Sequence, residues 1–250
     1  MRTRSLKYLP IWFGTAMIGC FAITYAMSTS ANDVSILFPY ISDTGTLVPE
    51  SCVFAQLLNI CACLGGLCGY CWYGHQVYRI ETLDCTKPHS KFARLTLGFG
   101  FVAALGISIV ANFQETTMNV VHLIGALMTF GFGTVYCACV SHASRVYLGA
   151  PRWLWILRSI LSFIDAVCFV ITIAFIYLAG VTHHPPEKWD PDEPGYLFHS
   201  ISVSCEWFMA ACFIAFFFTM IYELRDYTLD SVKVRRRGIS QEEEVYQVEI

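Results

Sequence analysis

Charge is scarce in this sequence. Of 250 residues only 14% are Asp, Glu, Lys or Arg, whereas a soluble domain carries about 25%. With 56% apolar residues, that shortage excludes an ordinary water-soluble globule. Chemical motifs are missing as well. The chain has no GxSxG, no P-loop, no GxGxxG and no HExxH, which removes the usual handles for a serine hydrolase, a nucleotide or dinucleotide binder and a zinc peptidase. No Asn-x-Ser/Thr sequon occurs at Asn32, Asn59, Asn112 or Asn119. Histidine is thin inside the apolar runs: His122 lies clearly within one, with His199 at an edge and His75 at the opposite end. That is short of the three or so ligands a catalytic zinc needs on one side. Neither a metal nor a cofactor is expected. A net charge of −3 gives no handle for nucleic acid, and none is expected as a partner.

Cysteine is abundant, with twelve, yet its placement argues against a disulfide scaffold. Cys20, Cys61, Cys63, Cys68, Cys71, Cys137, Cys139, Cys168, Cys205 and Cys212 fall inside apolar runs, where cysteine serves as a small packing residue. The Cys61-Ala-Cys63 and Cys137-Ala-Cys139 spacings do not suit a zinc knuckle. Only Cys52 and Cys85 lie near loops, and the charge pattern puts them on opposite sides of a membrane.

What is present is a series of apolar runs of roughly 20 residues, the length that spans a bilayer core of about 30 Å as a helix. Six spans are predicted: Leu9–Met27, Cys52–Tyr73, Leu95–Phe113, Thr117–Val140, Trp153–Ala179 and Ile201–Tyr222. The fold class is therefore all-α, a six-helix polytopic membrane protein with a membrane domain over 1–222 and a disordered tail over 223–250. Arg2, Arg4 and Lys7 before the first run have the look of a signal peptide, but the run is longer than a usual h-region.

Basic residues sort to one side. The N-terminus has Arg2, Arg4 and Lys7; the second connection has Arg79, Lys87, Lys91 and Arg94; the fourth has Arg145 and Arg152; the tail has Arg225, Lys233 and Arg235–Arg237. The other three connections hold one basic residue, Lys188. By the positive-inside rule both termini are cytoplasmic. The opposite face is acidic, with Asp33, Asp43, Glu50, Glu115, Glu187, Asp190, Asp192 and Glu193. Such a face, with His183, His184 and His199 beside it, would gain protons in an acidic compartment, between about pH 5 and 7 for the histidines. The Arg235–Arg237 cluster can touch anionic headgroups.

On that acidic face hangs Phe38–Glu50, FPYISDTGTLVPE. Pro39 fixes its own φ and pushes Phe38 toward extended geometry, and Asp43, Thr44 and Gly45 can close an Asx-type turn. Small residues mark close helix approach: Gly65 and Gly69 in the second span, Gly98, Ala104 and Gly106 in the third, Gly125, Gly131 and Gly133 in the fourth. Ionisable or amide groups inside a span need a partner, a cavity or a job. Asn59, Asn112, Gln114, His122 and Glu206 are expected to converge beneath the Phe38 loop as an outward-opening polar pocket, with Glu206 and His122 as a natural pair; the plain alternative is an interhelical hydrogen-bond network. Asp165 sits near the middle of the fifth span, and Arg158, two turns away, is expected to snorkel toward the cytoplasm.

The motifs FPYISDTG with Pro49-Glu50, ANFQET at Ala111–Thr116, His122 followed by Gly125-Ala126, and KWDPDEPGYLFH leading into Cys205-Glu206-Trp207 occur in this order. Together the set resembles the DNA-damage-regulated autophagy modulator family, within a superfamily that also holds GPI-anchor-remodelling proteins and plasma-membrane partners of a phosphatidylinositol 4-kinase. The resemblance implies a lysosomal or late endosomal multi-pass protein that promotes autophagy, tied to the DNA-damage response and apoptosis, without enzymatic activity. Its partners would be membrane lipids and proteins of the autophagy and lysosome pathway. Matching positions are Pro39, Tyr40, Asp43, Gly45, Glu50, Asn112, Phe113, Gln114, His122, Glu206 and Trp207; no role comes with them. The tail departs from the family, and Tyr246–Glu249 lacks the bulky apolar residue of a tyrosine-type sorting signal. Two other readings stay open: a plasma-membrane scaffold for a phosphoinositide kinase, and a lipid-modifying enzyme or transporter built on Glu206 and His122.

Overall fold

An apolar run in lipid can satisfy its backbone only as a helix or a closed barrel, and the 20-residue lengths here dictate helices. The computed structural model describes residues 5–37, 39–82, 87–182 and 189–228. Phe38, Cys85, His183, His184, Glu187, Lys188 and the tail from 229, with its Arg235–Arg237 cluster, lie outside them. The elements are α1 (Tyr8–Ser30), a 3-10 turn (Asp43–Gly45), α2 (Glu50–Thr82), α3 (Lys87–Asn112), α4 (Glu115–Ala126), a π-helical stretch (Leu127–Phe132), α5 (Gly133–Val146), α6 (Arg152–Thr182), α7 (Tyr196–Thr219) and a short α8 (Ile221–Leu224). Among the described residues six helices are long and apolar enough to cross a membrane, with Glu115–Val146 and Tyr196–Leu224 each counting as one. The chain is an all-α polytopic membrane protein.

The helices overrun the apolar stretches. The second predicted span, Cys52–Tyr73, is the middle of a 33-residue helix, about 50 Å long at 1.5 Å per residue. In its last turns His75, Gln76 and Ile80 are buried by protein. Neighbouring spans pack in chain order, and α7 closes back on α1. The result is a ring of helices in which α6 joins α5 to α7. One apolar cluster, including Phe21, Phe54, Leu58 and Ile214, fills the end nearest the 3-10 turn. A second, including Trp72, Tyr136, Val140 and Phe216, fills the other end. At that second end the chain's two ends meet: Leu6 N–H donates to Tyr227 O at 2.9 Å and Ser5 Oγ to Arg225 O at 2.8 Å.

The small-residue expectation holds at one crossing and fails at others. A Cβ on Gly106 would stand 2.6 Å from Thr129 N and 2.7 Å from Gly125 O, so α3 and the fourth span touch backbone to backbone there. The π-helical stretch lies at this crossing. Gly65 and Gly69 face the side chains of Phe13 and Tyr136 instead, and Gly98 faces open space.

Arg158 corrects a second expectation. It does not snorkel: it is 0% exposed. Its guanidinium donates to Glu223 Oε1 at 2.9 Å and Oε2 at 2.6 Å, to Ser144 Oγ at 2.7 Å and to Thr219 Oγ1 at 2.9 Å. Trp72 Nε1 adds a bond to Glu223 Oε2 at 3.1 Å. The first residue assigned to the tail is therefore a buried anion that ties α2, α5, α6 and α8 together. Asp165 stands apart, fully buried, with neither oxygen partnered among the described residues.

Two outcomes follow. Arg158→Met or Glu223→Gln alone, each stranding its partner, should cost about 3–5 kcal/mol, and Arg158→Met with Glu223→Leu should recover most of it; thermal unfolding of purified protein reads both. Gly106→Ala should destabilise by about 1–3 kcal/mol through overpacking, and Gly98→Ala should not, in the same assay.

Candidate functional site

The segment from Pro39 to Glu50 is a fixed cap. Consecutive residues on α7 hold its first part from two sides: Ile41 N–H donates to Glu206 Oε2 at 2.9 Å, and Trp207 Nε1 donates to Pro39 O at 3.0 Å. Tyr40 N–H donates to Asp43 Oδ2 at 2.9 Å, so the aspartate reaches back three residues rather than forward as in an Asx turn. Thr44 Oγ1 lies 3.0 Å from Thr24 Oγ1 of α1, and Ser42 Oγ donates to Glu115 Oε2 of α4 at 3.0 Å. Gly45 is needed for close approach: a Cβ there would overlap the Phe54 ring of α2. The cap is thus fastened to four helices. Glu50 is buried at the start of α2, where the helix N-terminus favours a carboxylate.

The five intramembrane polar groups do not form one pocket. Asn59 and Asn112 make a separate clip between α2 and α3: Ser108 Oγ donates to Asn59 Oδ1 at 2.7 Å, and the two amides exchange bonds at 3.1 and 3.2 Å. Gln114 caps α4 through its backbone, its carbonyl accepting from Thr117 and Met118. His122 and Glu206 are not bonded to each other. His122 Nδ1 meets Phe113 O at 2.7 Å, tying α4 to the end of α3, while Glu206 serves the cap. The expected convergence fails because the Asn59 and Asn112 amides meet each other across α2 and α3, while the His122 ring meets Phe113 O.

What His122 and Glu206 do share is a cavity. A space of about 110 Å³ runs along the bundle axis, bordered at the cap by Glu206, His122 and Ser42. Its walls are otherwise mostly apolar, with Phe21, Leu58, Ile107, Phe130 and Phe213 among them, and α6 contributes none. Carboxyl groups cluster at the mouth. Glu206, Asp43 and Glu115 all act on Tyr40, whose phenol is pushed well above its ordinary value first by burial and then by these carboxylates, with Ser202 opposing. Tyr40 packs edge-on to His199 at 5.0 Å, and His199 stacks on Trp189 at 4.6 Å. Among the described residues no His/Cys/Asp/Glu group of three is placed to hold a metal.

Thr24, Thr44 and Glu115 carry as much of the cap as the residues singled out from sequence. Glu115 was read only as surface charge; a threonine in an apolar run gives no signal, because its hydroxyl is normally spent on its own helix, as Thr24 also does toward Cys20 O at 3.0 Å. Chemically, the site can bind and orient an amphiphile whose head faces two carboxylates. Glu206 and His122 each bond a backbone group and not each other.

The Frag1/DRAM/Sfk1/Cwh43P N-terminal domain matches residues 5–227. DNA damage-regulated autophagy modulator protein 1 of Mus musculus is 34% identical over 230 residues, covering 90% of this chain and 94% of that protein. DNA damage-regulated autophagy modulator protein 2 of Bos taurus is 32% identical over 242 residues, covering 92% and 87%. Modulator of macroautophagy TMEM150B of Danio rerio is 32% identical over 240 residues, covering 92% and 90%. No solved structure matches. A near-complete domain match, relatives aligned end to end, and the six-helix architecture agree: the chain belongs to the Frag1/DRAM/Sfk1/Cwh43P family and, within it, to the DNA damage-regulated autophagy modulators.

Proposed function

We propose that this protein is a non-enzymatic modulator of autophagy in lysosomal or late endosomal membranes, acting through its lumen-facing capped end and through protein partners of that pathway. Support for the role comes from relatives named as autophagy modulators. The positive-inside distribution supports cytoplasmic termini and a luminal cap. The observation that carries the non-enzymatic reading is the use of Glu206 and His122: each is spent on a backbone group, at Ile41 N and Phe113 O. These are structural bonds at the rim of an apolar space, and they suit holding a ligand or a partner-binding surface rather than moving protons.

The reading has two checks. Val48 is 78% exposed on the cap; a Val48→Cys variant in a Cys52→Ser background should be labelled by a charged maleimide from the lumen and not from the cytosol. In cells lacking the endogenous protein, Asp43→Ala and Glu206→Ala, which release Tyr40 N and Ile41 N, should restore less than half the autophagic flux that Asp192→Ala restores at matched protein level. Equal rescue by all three, or a protein confined to the cell surface, would favour the lipid-kinase scaffold instead.

A further inference from the structure

We infer that a polar recess at the end of the bundle away from the cap binds a phosphorylated inositol ring, presented as the headgroup of a lipid in the adjoining leaflet. The inference rests on the topology proposed above, with the chain's ends in the cytosol, and not on the role in autophagy.

Three observations carry it. First, the recess is roomy, polar and supplied with cations. It has a volume of about 810 Å³ and lies between the last turns of α2, the loop that leads into α6 and the residues that follow α8. Arg79 and Arg225 both line it. Arg79 spends one N–H on Leu148 O at 2.9 Å, which leaves the rest of its fork. Arg225 lies over the Tyr222 ring at 4.5 Å. Its 3.4 Å contact with Asp226 joins two groups that are more than half exposed, and such a pair holds weakly. Glu223, also in the lining, is already taken by both arms of Arg158. Two guanidiniums therefore have N–H groups to give to an anion, and their forks match the oxygens of a phosphate.

Second, a buried group in the same recess stands without partners. His75 borders the recess, is 7% exposed, and neither ring nitrogen has a hydrogen-bond partner among the described residues. Its Nε2 is 4.0 Å from Glu223 Oε1, beyond hydrogen-bond reach. Buried polar groups are otherwise paired. A neutral imidazole offers one donor and one acceptor, so phosphate oxygens alone would meet half of it. A hydroxyl can serve either nitrogen, and the Asp226 carboxylate in the lining is a second acceptor for one. Cations beside hydroxyl acceptors suit a ring that carries both phosphate and hydroxyls better than they suit a bare phosphate.

Third, the recess sits at headgroup level. Tyr78 in its lining and Trp153 at its edge are each more than half exposed, and Trp153 packs edge-on to Tyr222 at 5.4 Å. Exposed aromatics at span ends mark the membrane interface. The loop in the lining ends at Pro151 and α6 starts at Arg152, so the positive end of that helix dipole lies beside the recess. With the chain's ends in the cytosol, the adjoining leaflet is the one that carries anionic lipids, and basic pockets between spans on that side accept phosphoinositide headgroups.

The test titrates the purified full-length protein in detergent with dioctanoyl lipids, followed by native mass spectrometry. Phosphatidylinositol monophosphate should bind about tenfold tighter than phosphatidylinositol, phosphatidic acid, phosphatidylserine or phosphatidylcholine, the ratio that 1.4 kcal/mol produces. Inositol bisphosphate, the same chemistry without chains, should compete weakly. Arg225→Gln, at an exposed position outside the core, should weaken monophosphate binding by about tenfold, the scale of a lost charge-assisted contact, and Arg79→Gln should do the same. Arg94→Gln, toward the same end of the bundle but outside the recess, should change nothing. His75→Leu should narrow the gap between the monophosphate and phosphatidic acid, because a hydroxyl partner is lost while both guanidiniums stay. Should that variant fail to fold, a monophosphate with methylated ring hydroxyls, offered to the unaltered protein, reads the same contact. Equal affinity for phosphatidic acid, or equal loss from Arg94→Gln, would overturn the proposal; inositol bisphosphate binding as tightly as the lipid would overturn its lipid half. No monophosphate preference, with a luminal cap and intact autophagic flux, would sink this inference alone. A cap labelled from the cytosol, with the preference intact on purified protein, would sink the topology and leave the binding site standing.

Discussion

The contact on which the capped end depends is the bond from Ile41 N–H to Glu206. A carboxylate entering an apolar helix is costly, and a backbone N–H buried at a turn is costly too. Placed against each other they offset part of both costs, since the bond satisfies the buried donor and one carboxyl oxygen at once. The adjacent residue makes the arrangement directional: Trp207 takes Pro39 O, so two neighbours on one helix fix both polar faces of a short strap. With the strap's backbone placed, the bonds of Thr44 to α1 and Ser42 to α4 can form only in one register.

The far end solves the same problem with different chemistry. There the buried carboxylate, Glu223, faces a guanidinium, and Ser144, Thr219 and Trp72 complete the set. Satisfying all the donors matters because a buried ion pair is weak support for stability unless its remaining bonds are met. The bundle is thus pinned near both ends by polar groups and is mostly apolar between them, with buried Asp165 among the exceptions. Between those pins, close backbone contact is needed only where α3 meets the fourth span at Gly106 and Gly125; elsewhere aromatic and aliphatic side chains keep the helices apart, and the axial cavity is what remains.

Much of this was legible in the amino-acid sequence, and the limits have physical reasons. Span number follows from run length, since lipid admits no other way to pair the backbone. That Pro39, Asp43 and Gly45 shape a turn, and that Glu206 needs a partner, was visible because turn formers cluster there and an intramembrane carboxyl is costly alone. Which groups meet was not visible. Asn59 and Asn112 looked like pocket residues because depth can be counted along a helix, but rotation about the helix axis cannot, and that rotation turned them toward each other. Arg158 looked free to snorkel because its partner, Glu223, falls just past the last apolar run, where helix ends are least certain.

The rigidity of the strap decides how anything could reach the axis. Three helices hold residues 39–46 through hydrogen bonds and α2 packs against Gly45 through Phe54; the bonds would all have to break for the strap to swing away, and such bonds are lost together rather than one at a time. The end of the cavity beneath the cap is therefore closed by construction rather than gated. The seam between α1 and α7 is different: Phe21 and Tyr25 meet Trp207 edge-on at 6.0 and 6.4 Å, and of these rings Phe21 can turn without stranding a polar group, whereas Tyr25 and Trp207 are tied to Ile36 O and Pro39 O. Trp207 both closes the seam and holds the strap, so any shift of α1 against α7 is coupled to the position of the cap.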